Sequence, residues 1–297
     1  IILIFFFDEY LNDFFFKTFF LVKTSTSNSS LRSMLIIVLP RKPLPPKIKI
    51  FLFFFAFKIL TFNYLPLCAN NSYKLIYSLK LLKLLKQFIY MSYYLYKDDI
   101  PSEVEFKDIV AIDTETMGLN LHRDRLCLIQ LSNGDGNAHL VQISTEALAN
   151  QNSFINLRKI FKNTNLTKLF HFARFDIAVI EKNICSIDGP IYCTKIASKL
   201  SRTFGAKHGL ADLCRDLLGI ELDKFNQTSD WGTENLNDSQ LSYAASDVLY
   251  LHMLKKELDI ILKREKREKL ALECFNFLKI RCKLDIVGFD NLDIFSH

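Results

Sequence analysis

The sequence predicts an α/β fold with a mixed sheet flanked by helices. Apolar runs at 109–112, 126–131 and 138–143 are typical of strands that follow one another along the chain. An Asn-Gly-Asp-Gly segment at 133–136 provides a hairpin turn between the last two. From 153 onward, apolar residues recur mainly at helical spacing. Strands followed by helices on one chain indicate a sheet with helices packed against it.

The elements are predicted in the order βββαβα, followed by further helices. The first three strands are expected to pair antiparallel. Helical spacing covers 153–162, a strand follows at 168–171, and the next helix carries Phe175, Val179 and Ile180 on its apolar side. Further helices are predicted at 194–200, at 210–218 with Gly219 as its end, and from 239 to about 263 with Asn237 or Ser239 as the cap.

The chain of 297 residues changes composition at Met91. Residues 1–90 carry 12 Lys and Arg against 3 Asp and Glu, hold 15 of the 27 Phe and lack glycine. The remainder carries 26 basic against 29 acidic residues, so the positive net charge belongs to the first part alone. We therefore predict a low-complexity hydrophobic and basic segment at 1–90 and a functional domain at 91–297.

The composition of residues 1–90 matches what A/T-rich DNA encodes, namely Phe, Lys, Ile, Asn and Leu. We expect this segment to be a translated upstream region with Met91 as the native start, and a weakly membrane-associating segment is the alternative. Its apolar stretch at 51–67 is broken by Lys58, Asn63 and Pro66, and falls short of the roughly 18 apolar residues of a spanning helix. No stable membrane association is expected.

The overall composition excludes several classes of protein. With 49% hydrophobic and 24% charged residues, the chain as a whole is neither disordered nor a disulfide-stapled mini-protein. Its seven cysteines are an odd number and form no C-x-x-C pair. These features predict free thiols and a reduced, cytoplasmic compartment.

Four carboxylates lie near the ends of predicted elements. Asp113 and Glu115 are two residues apart at the end of a buried strand and share one face, although acid-x-acid spacing recurs elsewhere in the chain. Asp176 lies near a helix start, where an acid often only complements the helix dipole. Asp247 follows Tyr243 by four residues, so both lie on one helix face. Together the four acids suit a site for two Mg²⁺ or Mn²⁺ ions.

Three segments resemble the exonuclease motifs of the DEDD superfamily, in the branch with a tyrosine in the third motif. They are 109–119 (IVAIDTETMGL), 171–176 (HFARFD) and 243–247 (YAASD). The segments 207–213 and 223–231 are similar to ribonuclease D, and the length matches its short single-domain form. The resemblance runs from about Met91 to the last residue and implies a ribonuclease H-like fold.

The resemblance implies a role for each acid. Asp113 would bridge two divalent ions, Mg²⁺ or Mn²⁺, with Glu115 and Asp247 at the tighter site and Asp176 holding the second ion. Tyr243 would orient the attacking water. The implied substrate contacts are Thr114, Thr116, Met117, Leu119, His171, Phe172 and Phe175. Phe172 stands where the family often has Asn, a departure that removes no metal ligand.

The implied activity is metal-dependent release of nucleoside 5′-monophosphates from RNA 3′ ends, as in the processing of tRNA and other structured RNA. The same chemistry on single-stranded DNA is one alternative, and a catalytically silent RNA-binding module is another. The presence of all four acids and Tyr243 argues against the silent module. The expected partner is a nucleic-acid 3′ end, preferably RNA, and no obligate protein partner is inferred. We expect the single tryptophan, Trp231, to pack beneath a loop and not to stack on a base.

Overall fold

The computed structural model divides the chain into two compact units, residues 1–79 and 80–297. In the first unit it describes three strands, which pair antiparallel in the order β1-β2-β3. They are β1 (Ile2–Leu11), β2 (Phe14–Lys23) and β3 (Met34–Ile37). In the second unit the described residues are 92–150, 152–205, 207–222 and 229–296.

The expectations for residues 1–90, an upstream translated region or a weakly membrane-associating segment, stay predictions. Most of that segment, including all of 38–90, lies outside the described residues. Within the part of the chain that the structure describes, no helix combines the length and the apolar character needed to cross a membrane.

The second unit is built on a six-stranded mixed sheet in the order β4-β7-β6-β5-β8-β9. Its strands are β4 (Ser92–Lys97), β5 (Ile109–Thr116), β6 (Leu126–Ser132), β7 (Asn137–Gln142), β8 (Thr167–Phe170) and β9 (Ile191–Cys193). The predicted antiparallel pairing of β5, β6 and β7 is confirmed, while β4, β8 and β9 each join a neighbour in parallel. The predicted mixed sheet flanked by helices is confirmed.

The sequence patterns missed the two edge strands of this sheet. β4 has the sequence SYYLYK, in which polar and aromatic residues replace an apolar run, and no residue of the strand is fully buried. β9 is buried but has only three residues, which is too short for a period to be seen. In contrast, all seven residues of the interior strand β6 are buried, as its apolar run predicted.

Eight α-helices are described in the second unit. They are α1 (Thr145–Ala149), α2 (Ile155–Lys162), α3 (Ala173–Asn183), α4 (Thr194–Ser201), α5 (Leu210–Leu213), α6 (Asp238–Leu249), α7 (Leu251–Arg264) and α8 (Glu268–Leu284). The predicted cap Asn237 is confirmed, since its side chain accepts from the Gln240 backbone while the Gln240 side chain accepts from the Asn237 backbone. The structure places α3 and α6 against β5, where they position the acids described below.

Two helix predictions are wrong in part. The helix predicted at 210–218 becomes a π-helical turn after Leu213, although it ends at Gly219 as predicted, with a φ of 68°. The single helix predicted from 239 to about 263 is two helices, α6 and α7. The break lies at the buried Tyr250, whose backbone N–H donates to Val248 instead of to the residue four positions earlier. Apolar residues keep helical spacing across this break, so the pattern does not reveal it.

Candidate active site

The second half of β5 carries the first two predicted acids. The strand is buried from Val110 to Ile112, whereas Asp113 and Glu115 are half-buried and lie on the same face. The register with β6 shifts between Glu115 and Thr116. Such an irregularity ends regular strand pairing and is common next to active sites. The sheet therefore stops pairing regularly directly beside the two carboxylates.

Helix α6 brings Asp247 to these two acids. One carboxylate oxygen each of Asp113, Glu115 and Asp247 lies within 4.8 Å of the others. Three carboxylate oxygens at this spacing are the hard donors that Mg²⁺ and Mn²⁺ prefer. Asp247 lies 134 positions after Asp113 and 132 after Glu115 in the sequence, and only the packing of α6 against β5 brings them together.

The fourth acid, Asp176, approaches from helix α3. Thr114 lies between Asp113 and Glu115 on β5 and is buried. Its hydroxyl donates to Asp176 Oδ1 at 2.7 Å, and Asp176 is only 3% exposed. Asp176 is near enough for its charge to raise the pKa of Asp113, Glu115 and Asp247. We call these four residues the carboxylate cluster.

The electrostatics of the carboxylate cluster oppose full ionisation. Burial is the main cause that raises the pKa of every member, to about 7 for Asp176 and about 8 for Asp247, and well above the ordinary range for Asp113 and Glu115. For Asp113, Glu115 and Asp247 the charges of neighbouring acids add to this effect. Within the described residues, no Lys, Arg or His forms an ion pair with any of the four. The cluster therefore requires protons or a bound cation.

Tyr243 lies one helical turn before Asp247 on α6. Its hydroxyl is hydrogen-bonded to Asp247, and its pKa is raised by burial and then by the charges of Asp247, Glu115 and Asp113. The ring packs against Trp231, with ring centroids 6.1 Å apart and planes inclined by 36°. Trp231 is only 3% exposed, so the packing interpretation agrees with the structure and base stacking does not.

Three side chains donate hydrogen bonds to backbone carbonyl oxygens of the loop that carries Trp231. The sequence patterns did not predict this role. Arg125 donates to the carbonyl oxygen of Gly232 at 3.2 Å, and also to carbonyl oxygens at the ends of β6 and β7. Gln142 donates to the carbonyl oxygen of Thr233 at 3.0 Å, and Gln240 donates to that of Asp230 at 3.1 Å. Isolated Arg and Gln residues carry no local signal for such a role, and the loop acceptors of Arg125 and Gln142 lie 107 and 91 positions away.

The predicted substrate-contacting residues have different environments. Thr114 is buried, Thr116, His171 and Phe175 are half-buried, and Met117, Leu119 and Phe172 are exposed. Leu119 is 84% exposed on the loop after β5, which leaves its side chain free to contact a ligand. His171 forms a hydrogen bond with Thr194 at 2.8 Å, and burial lowers its pKa to about 3, which keeps the ring neutral. Their roles in substrate binding stay predictions.

Residues 97–263, which are more than half of the chain, match the 3′-5′ exonuclease family. The protein belongs to this family. The exonuclease is 33% identical over 156 residues to ribonuclease D of Haemophilus influenzae, and this alignment covers 51% of the chain and 37% of that relative. The chain thus matches less than half the length of this curated relative.

Solved structures extend these similarities. Brucella melitensis NrnC bound to pGG is 48% identical, with a TM-score of 0.66, over 70% of the exonuclease and 99% of NrnC. Another structure of that protein, with bound Mg²⁺, is 47% identical with a TM-score of 0.65, over 70% of the exonuclease and 100% of NrnC. Escherichia coli RNase D shares the fold. It is 24% identical with a TM-score of 0.50, over 59% of this chain and 45% of RNase D. The implied ribonuclease H-like fold and membership of the 3′-5′ exonuclease family are confirmed.

The carboxylate cluster fits the divalent metal that exonucleases of this family use. Its possible ligand atoms are all carboxylate oxygens, and one oxygen each of Asp113, Glu115 and Asp247 lies within 4.8 Å of the others. Among the described residues, no basic side chain forms an ion pair with the cluster. Thiolate and imidazole ligands, which favour zinc or copper, are not part of this group. The donor set therefore agrees with Mg²⁺ or Mn²⁺.

Proposed function

We propose that the exonuclease releases nucleoside 5′-monophosphates from the 3′ ends of RNA, including tRNA precursors and other structured RNA with a free single-stranded end. The observation that carries this proposal is the carboxylate cluster, with three carboxylate oxygens within 4.8 Å, a fourth acid beside them and Tyr243 at its edge. The similarity to ribonuclease D and to NrnC, which was solved bound to pGG, supports a nucleic-acid substrate of the RNA type.

In this proposal the cluster would hold two divalent ions. Asp113 would contribute to both, Glu115 and Asp247 would complete the tighter site, and Asp176 would contribute to the second. Bound ions of this kind activate a water and stabilise the leaving oxygen of a phosphodiester. Thr114 fixes the Asp176 carboxylate by donating a hydrogen bond to it. The carboxylate also accepts hydrogen bonds from the backbone N–H groups of Thr114 and of Asp176 itself, which fix its position further.

Tyr243 has a positioning role in the reaction. Its hydroxyl is bonded to Asp247, and the raised pKa of Tyr243 keeps the phenol protonated. A neutral phenol both donates and accepts, so it orients a water without taking the proton from it. Met117 and Leu119 follow Glu115 closely in the sequence and are exposed. In this proposal they would contact the terminal base and so limit the reaction to a strand end.

The full chain is tested on single-stranded RNA and DNA of the same sequence, labelled at either end, with Mg²⁺, with Mn²⁺ or with EDTA. We expect RNA to be shortened from its 3′ end to 5′-mononucleotides, only when a metal is present. RNA that ends in a 3′-phosphate should resist, because the additional negative charge meets four carboxylates. A precursor tRNA should be trimmed up to its stable duplex, where hydrolysis stops.

Different results would contradict separate parts of the proposal. Internal cuts in circular RNA, or products with a 3′-phosphate, would show an endonuclease. Faster hydrolysis of DNA than of RNA would leave the metal chemistry intact and refute the RNA preference. Binding of RNA without hydrolysis under every metal condition would show the catalytically silent alternative.

A further inference from the structure

A groove of about 510 Å³ opens beside the start of α3, the helix that carries Asp176. Its walls come from the beginnings of α3 and α4 and from one side of α8. Phe172 is the residue directly before α3, and Lys195 lies in the first turn of α4. We call it the Phe172 groove. The functional assignments above use only Phe172 among its lining residues.

Basic residues border the Phe172 groove, whose lining surface is mainly apolar. Four of its lining residues are basic and one, Glu273, is acidic. Arg174 and Arg281 both form ion pairs with the buried Asp285, at 2.6 and 3.0 Å. Lys195 and Lys199, one turn apart on α4, form no ion pair with any carboxylate of the described residues, Glu273 included. Two adjacent ammonium groups without an acid favour the binding of an anion.

The groove also offers aromatic surface. Phe172 is 45% exposed, and the Lys195 ammonium lies 4.0 Å from the centre of its ring. Phe277 of α8 lines the same groove and is 38% exposed. The backbone of Phe172 has a φ of 67°, a left-handed conformation that is uncommon for a bulky residue. Exposed rings next to lysines are the combination by which proteins hold single-stranded nucleic acid, the rings stacking on bases and the lysines contacting phosphates.

The Phe172 groove is connected to the carboxylate cluster through two helix starts. Phe172 precedes Asp176 by four residues, about one turn of the same helix. His171, next to Phe172, is hydrogen-bonded to Thr194, the residue before Lys195. The groove and the cluster are therefore both built on the start of α3.

We propose that the Phe172 groove binds the RNA strand upstream of the cleaved phosphodiester, with Phe172 and Phe277 stacking on a base and Lys195 and Lys199 contacting phosphates. This inference rests on the proposed function and adds a path for the substrate to it. The groove contributes to substrate affinity, and the cluster carries out hydrolysis.

The test replaces both lysines, Lys195→Gln with Lys199→Gln, in the full chain. The matched control is Lys256→Gln with Lys263→Gln, two exposed lysines of α7 that do not line the groove. The substrate is single-stranded RNA of about ten nucleotides, within the usual span of a single-strand site. We expect KM to rise about tenfold with kcat within about twofold, and the control to behave as the wild type.

Salt dependence gives a second readout. Each phosphate contact with a single strand contributes about 0.7 to the slope of log affinity against log salt concentration, so losing two should reduce that slope by about 1.4. Phe172→Leu should weaken binding and leave the slope unchanged, because it removes stacking and no charge. If the double-lysine variant misfolds, Lys199→Gln alone, at an exposed position, should reduce the slope by about 0.7.

Binding is measured by fluorescence anisotropy in the Asp113→Asn background, which requires no turnover. If KM and the salt slope are unchanged in the double-lysine variant, the groove proposal is refuted. Hydrolysis by the wild type would still support the proposed function in that case. A change in molecular mass with unchanged RNA affinity would show a second copy of the chain in the groove and would also refute it. Absence of hydrolysis in the wild type together with a groove-dependent slope would refute the proposed activity alone.

Discussion

The carboxylate cluster and the Phe172 groove have opposite charge and share the start of helix α3. The cluster gathers four acids and, among the described residues, forms no ion pair with a base. In the groove, two lysines form no ion pair with an acid. A phosphodiester needs a cation wherever it lies close to carboxylates, whereas lysines bind it directly. We therefore expect changes in the cluster to alter kcat and changes in the groove to alter KM.

The largest effect is expected for Asp113→Asn, which removes the central negative charge of the cluster at nearly constant volume. We expect kcat to fall at least about a thousandfold with either Mg²⁺ or Mn²⁺, which corresponds to about 4 kcal/mol of transition-state stabilisation. RNA affinity should persist because the groove is intact. Glu257→Gln, an exposed acid on α7, is the control and should leave kcat unchanged. Retention of more than about a tenth of the wild-type rate would contradict a bridging role for Asp113.

Tyr243→Phe should produce the next largest effect. The variant loses one hydroxyl next to Asp247 and keeps all four acids. We expect kcat to fall about ten- to a thousandfold with little change in RNA affinity, because a water-orienting hydrogen bond is lost in the transition state. Tyr192→Phe is the matched control, since its hydroxyl bonds Asp259 instead of a member of the cluster. Equal kcat values for Tyr243→Phe and the wild type would leave Tyr243 with a packing role only.

A smaller effect is expected for Trp231→Leu, which removes the ring packed on Tyr243. If Trp231 acts by holding the Tyr243 hydroxyl, kcat should fall about three- to tenfold and the loss should vanish in the Tyr243→Phe background. Trp231→Phe keeps an aromatic ring there and should restore most of the rate. Phe275→Leu, another buried aromatic position, controls for a general loss of stability. Additive losses in the double variant would show that Trp231 acts independently of Tyr243.

The smallest effect concerns stability and pH. In EDTA, the raised pKa values near 7 for Asp176 and near 8 for Asp247 mean that the folded protein holds protons that the unfolded chain releases near pH 4. The free energy of unfolding should therefore decrease as pH rises from about 4 to 8. Mn²⁺ replaces these protons, so it should raise the Tm more at pH 8 than at pH 6. Thermal unfolding with and without Mn²⁺ checks this, and a Tm in EDTA that increases with pH would contradict it.

Much of the sheet was predictable because its interior strands are local apolar runs. The three sequential strands, the turn between two of them and the helix with the Asn237 cap were all expected from neighbouring residues. The edge strands β4 and β9 were not, since one is polar and the other is three residues long. The break at Tyr250 was also missed, because an apolar period continues through it.

The sequence alone predicted which side chains carry the chemistry. The acids Asp113, Glu115, Asp176 and Asp247, with Tyr243, were identified from their positions at element ends and from the resemblance to known motifs. The approach of one oxygen each of Asp113, Glu115 and Asp247 to within 4.8 Å of one another depends on the tertiary structure. The same holds for the bond from Thr114 to Asp176 and for the packing of Trp231 on Tyr243. The Phe172 groove, which joins α3, α4 and α8, was decided in the same way. Local patterns arise from neighbours along the chain, whereas these contacts join residues far apart in sequence, and only packing of the core brings them together.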